Sequence, residues 1–86
     1  MSAALSGALS FSTAEGWFAR ADELAGAGTI DLASVTHCDS AGAALLLELR
    51  RRALSKGQTL AFINATPQLR GLITFFGLQN VVELAA

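Results

Sequence analysis

Polar and apolar positions alternate between two periods along the chain. Near the start, Leu5, Gly7, Leu9 and Phe11 alternate with Ser6, Ala8 and Ser10, so Ala3 to Phe11 is expected as an edge strand. From Ser12 to Ala25 the period lengthens. Ala14, Trp17, Phe18, Ala21, Leu24 and Ala25 share one helical face, and Ser12 with Glu15 spells a capping box. Gly26-Ala27-Gly28 closes that helix. Thr29 to Val35 is almost continuously apolar, as in a strand buried on both faces of a parallel or mixed sheet.

The centre of the pattern is Ile30 to Leu54, where a strand runs through Ser34-Val35-Thr36-His37-Cys38 into the turn Asp39-Ser40-Ala41-Gly42 and then a leucine-rich helix, Ala41 to Ser55. At about 100° per residue, Leu45, Leu46, Leu49 and Ala53 form a core arc. Glu48, Arg51, Arg52 and Ser55 form a polar arc. Ala43, Leu47 and Leu54 lie on a third arc opposite Leu45, which a single buried stripe does not explain. Gly57 is placed to end this helix in the left-handed conformation. Thr59 to Asn64 reads as a strand. Thr66 and Pro67 open a third helix carrying Leu69, Leu72, Ile73 and Phe76, and Gly77-Leu78 stops it. Val81 to Leu84 reads as a last short strand. The order β-α-β-α-β-α-β predicts one α/β domain over residues 1–86, a four-stranded mixed sheet covered by about three helices.

Composition narrows the function. The net charge of −1 gives no general attraction to nucleic acid or anionic lipid, and the absence of tyrosine weakens any base-stacking role. The longest apolar run, Ala41 to Leu47, is far short of the roughly 18–20 residues of a membrane span, so no direct membrane insertion is expected. Met1 to Ser10 lacks the basic start of a secretory signal. One cysteine and one histidine make neither a disulfide nor a zinc site, and a reducing cytoplasm is the simplest compartment. Adjacent strand residues point to opposite faces, so His37 and Cys38 do not form a nucleophilic dyad. There is no phosphate-binding GxxxxGK[ST] loop, and no catalytic residue, metal or cofactor is expected.

The block IDLASVTHCDSAGAALLLELRRRALSKGQTL, followed by NATPQLRGLITFFGL, resembles a STAS domain. Strand, Asp39-Ser40-Ala41-Gly42, then helix is its most specific piece. The LLLEL of Leu45 to Leu49 is more similar to the small MlaB-type subunit of lipid-asymmetry ABC transporters than to the sigma-regulating branch. The chain is shorter at its N-terminus than the family pattern, so one strand of the usual opening hairpin is expected to be missing.

The resemblance implies a non-catalytic cytoplasmic subunit that binds the ATPase subunit of a phospholipid-transporting ABC complex. Through that subunit and the permease it would lie peripheral to the inner membrane. The alternative is an anti-anti-sigma factor that meets a serine kinase or anti-sigma factor. In both, the family's regulatory Ser or Thr falls on Ser40, a phosphoacceptor or contact residue. Read from its position alone, Ser40 simply caps the helix. The expected partner surface comprises Asp39, Ser40, Ala43, Leu47, Arg50, Arg51 and Leu54. Asp39 also reads as a cap, and Arg50 to Arg52 also read as a solvated cluster near the helix C-terminus.

Overall fold

The computed structural model describes residues 2–85. Three parallel strands form the sheet in the order β1-β2-β3, with β1 at Ser2–Leu9, β2 at Thr29–Cys38 and β3 at Ala61–Ile63. Four helices connect and follow them: α1 (Ala14–Phe18), α2 (Ala21–Ala25), α3 (Ser40–Ser55) and α4 (Pro67–Phe75).

The expected fourth strand at Val81 to Leu84 is replaced by a single bridge between Leu84 and Phe62. The reason lies just upstream. Val81 and Val82 both donate backbone hydrogen bonds to the Leu78 carbonyl, at 2.9 and 2.7 Å, curling the chain there. Val82 then drops into the core, so only Leu84 and Ala85 reach the edge of β3. The sheet is therefore three-stranded and parallel rather than four-stranded and mixed.

Helix Ser12 to Ala25 is broken. Arg20, with φ −103° and ψ 11°, separates α1 from α2. The break lets the two pieces face differently: α1 buries no residue fully, whereas α2 buries Ala21, Leu24 and Ala25. The capping box is not formed either. Ser12 Oγ lies 3.0 Å from Ser10 Oγ, and Thr13 occupies the cap position without a side-chain cap bond.

Strand β2 is buried on one face only. Ile30, Leu32, Val35 and Cys38 enter the core, while Ala33, Ser34, Thr36 and His37 are exposed. Its pairing with β1 slips twice, between Ala4 and Ser6 and between Gly7 and Ala8, which brings Leu9 level with Cys38. The expected core arc of α3 holds: Leu45, Leu46, Leu49 and Ala53 are fully buried. Thr66 Oγ1 accepts from Leu69 N–H at 3.3 Å and Pro67 opens α4, as the sequence predicts.

One close contact fixes where α3 leaves the sheet. A Cβ on Gly42 would lie 2.4 Å from the Leu9 carbonyl oxygen and 2.5 Å from Cys38 Sγ. Only glycine lets the first turn of α3 sit directly on the aligned ends of β1 and β2.

A candidate docking site at the β2–α3 corner

Asp39 builds the corner. Its backbone is extended (φ −113°, ψ −167°), which aims the side chain back at the helix start. Oδ1 accepts from Ala41 N–H at 2.8 Å and Gly42 N–H at 3.3 Å, and Oδ2 accepts from Phe11 N–H at 3.2 Å. The Asp39 N–H in turn donates to the Leu9 carbonyl at 3.1 Å. Desolvation acts to raise the Asp39 pKa, but the bonds from Phe11, Ala41 and Gly42, with His37 nearby, outweigh it and hold the carboxyl below its ordinary value.

The helix cap is thus Asp39, and Ser40 is the first helical residue. Its side chain is exposed, so the hydroxyl is available to a partner or a modifying enzyme instead of being spent on the cap. Beside it, Cys38 is 1% exposed and burial, helped by the Asp39 charge, pushes its thiol pKa up to about 11. His37 is exposed, so the two face opposite ways.

The expected surface residues divide. Leu47 is half-buried and Leu54 is 65% exposed; with Arg50, Arg51 and Val81 they line a cleft of about 270 Å³. Ala43 does not join them. It is 2% exposed and packs in the core cluster, because the buried side of α3 is wider at its sheet-contacting first turns than one stripe.

The arginine cluster is also dispersed. Arg50 turns toward the chain's C-terminal segment: Nη2 donates to the Glu83 carbonyl at 3.1 Å and the guanidinium lies 5.4 Å from the centre of the Phe62 ring. Arg51 pairs with Glu48 at 2.8 Å through two bonds. Arg52 pairs with Glu48 at 2.6 Å and reaches Asp22 at 3.2 Å. Hydrogen bonds from Arg51 and then Arg52 bring the Glu48 pKa down to about 2. Positive charge on this face is largely answered within the chain.

Three contributors escape a sequence reading. Gln68, in the first turn of α4, bonds both backbone groups of Cys38. Phe11 lies beyond the end of β1, its N–H on Asp39. Val81 joins the cleft. For Gln68 the one available signal is its place directly after the Thr66-Pro67 helix start; for Phe11 it is an aromatic residue isolated between serines.

The fold agrees with what comparison with known proteins finds. The family profile described as "Mlab, STAS domain" matches residues 3–83, and the chain belongs to that family. No curated protein sequence matches. Among solved structures, that of the anti-sigma factor antagonist SpoIIAA in its unphosphorylated form is similar, with a TM-score of 0.72 at 23% identity, covering 96% of this chain and 76% of that one. At that identity the likeness is one of fold. No helix among the described residues is long and apolar enough to cross a membrane.

Proposed function

We propose that this chain is a non-catalytic STAS subunit that binds the ATPase subunit of a phospholipid-transporting ABC complex and supports or regulates it. Such a subunit would work at the cytoplasmic side of the inner membrane, attached through its partner. The observation that carries this reading is the exposed face of α3. It begins at Ser40 on a rigidly capped corner and runs past Ala44 and Leu47 to the apolar cleft at Leu54 and Val81. A monomeric protein gains nothing from exposing that stripe, whereas a partner helix or loop would bury it.

The test is a pair of substitutions at Ser40. Ser40→Ala leaves the Asp39 cap intact and should co-purify with the ATPase subunit as the unaltered chain does. Ser40→Arg should stay folded by circular dichroism and lose the ATPase, because it forces an unpaired charge into a dry interface. Normal co-purification of a folded Ser40→Arg chain would remove Ser40 and its surroundings from the interface.

The exposed, uncommitted Ser40 hydroxyl also favours a second reading, an anti-anti-sigma factor phosphorylated there by a partner serine kinase. A phosphate would add about −1.5 to −2 charges next to the Asp39 carboxylate. Intact-mass measurement of the chain purified from its host separates the two: a stoichiometric phosphate on Ser40 supports the kinase route, and its absence under all growth conditions removes it.

A further inference from the structure

We infer that Phe11 is an anchor of the same docking surface, held beside Ser40 by the Asp39 carboxylate, and that the ATPase subunit closes over its ring, an assignment that rests on the function proposed above. Phe11 is 88% exposed and has no place in the core cluster. An apolar ring on a loose loop would need no explanation. This one is not on a loose loop.

Several hydrogen bonds hold the turn that carries it. Phe11 N–H is bonded to Asp39 Oδ2 at 3.2 Å. Ser10 N–H donates to Thr13 Oγ1 at 3.0 Å, and Thr13 Oγ1 donates to the Ala8 carbonyl at 2.7 Å. The N–H groups of Thr13 and Ala14 both reach the Ser10 carbonyl, at 3.0 and 2.8 Å. A ring presented on so constrained a backbone loses little further freedom on binding, which is what makes aromatic side chains effective anchors.

Asp39 is the joint between the two halves of the surface. Oδ1 takes the first-turn N–H groups of α3, and Oδ2 takes Phe11 N–H. Ser40 and Phe11 therefore flank one carboxylate although 28 residues separate Phe11 from Asp39. A protein that desolvates Ser40 meets the Phe11 ring at the rim, so a recess lined with apolar side chains is the complementary feature on the ATPase. Phe75, 82% exposed, is the natural contrast. It lies at the C-terminal end of α4, edge-on to Phe76 with ring centres 5.5 Å apart, and has no link to Asp39.

The experiment is calorimetric titration of the full chain with the purified ATPase subunit of the host's lipid-transporting ABC complex, using Phe11→Ala, Phe11→Tyr, Phe75→Ala and Ser40→Arg. Phe11→Ala should weaken binding on the order of thirtyfold with an unchanged melting temperature. Phe11→Tyr and Phe75→Ala should bind as the unaltered chain does. If Phe11→Ala binds normally while Ser40→Arg does not bind, the anchor is overturned and the docking face stands. If both bind normally, the docking face falls and the anchor with it. Equal losses for Phe11→Ala and Phe75→Ala would also overturn the assignment, since the effect would then be a general one of removing exposed apolar area.

Discussion

The side-chain amide of Gln68 grips the backbone of Cys38 on both sides: Cys38 N–H donates to Oε1 at 3.1 Å, and Nε2 donates to the Cys38 carbonyl at 2.9 Å. Strand β3 ends at Ile63, paired with Asp31, well short of Cys38. The amide therefore supplies at the far end of β2 the two bonds a neighbouring strand would supply, and it ties α4 to the corner that presents Ser40.

Removing that grip should loosen the corner. Gln68→Ala should cost about 0.5–1.5 kcal/mol for each of the two bonds, seen as a lower urea midpoint. Gln68→Glu is more informative. A carboxylate can accept from Cys38 N–H but cannot donate to its carbonyl, whereas the protonated acid can do both. The Gln68→Glu chain should regain midpoint relative to Gln68→Ala as pH falls through the ordinary carboxyl range near pH 4. A pH-independent gap between the two variants would show that the second bond contributes nothing.

At Gly42 two effects oppose each other. Alanine is favoured in a helix over glycine by about 1 kcal/mol. Here its methyl would lie 2.4 Å from the Leu9 carbonyl, a backbone atom that cannot swing aside. Gly42→Ala should be net destabilising by about 1–3 kcal/mol, the usual range for overpacking. A raised melting temperature would mean that α3 can slide off the strand ends.

Two leucines of α3 test its orientation. Leu49 is fully buried, so Leu49→Ala should cost about 2–5 kcal/mol. Leu54 is 65% exposed, and Leu54→Ala should stay within about 0.5 kcal/mol of the unaltered chain. Equal denaturation midpoints for the two variants would contradict the assigned faces.

Acid should act through Glu48. Its folded-state pKa is depressed to about 2 from an ordinary 4.5, so the stabilisation is fully present above about pH 4.5 and is lost as pH falls toward 2. The midpoint difference between the unaltered chain and Glu48→Gln should be largest near neutrality, shrink below about pH 4.5 and vanish near pH 2. Added salt should shrink it at neutrality too. A difference that grows in acid would overturn the pairing with Arg51 and Arg52.

The parts legible in the sequence were those written locally. Leu45, Leu46 and Leu49 share a face by spacing alone. Thr66-Pro67 announces a helix start, and the Asp39-to-Gly42 turn stands out between two apolar runs. What escaped depends on partners distant in sequence. Asp39 could be read as the cap of α3 from its position, but not that its second carboxylate oxygen takes Phe11 N–H from across the chain. Arg50 leaves the expected basic surface because Glu83, 33 residues on, offers a carbonyl. Val81 and Val82 look like a strand until Leu78 accepts both their N–H groups. Alternation and spacing carry no information about such bonds.

Wedged against Gly42, the lone Cys38 thiol is nearly inert while the fold holds. With a pKa of about 11, only about one thiol in ten thousand would be ionised at neutral pH even if a reagent could reach it. Unfolding removes both the cover and the penalty. Labelling of this chain by a small alkylating agent therefore follows the population in which the β2–α3 corner has opened, making Cys38 a built-in reporter on the corner that carries Ser40.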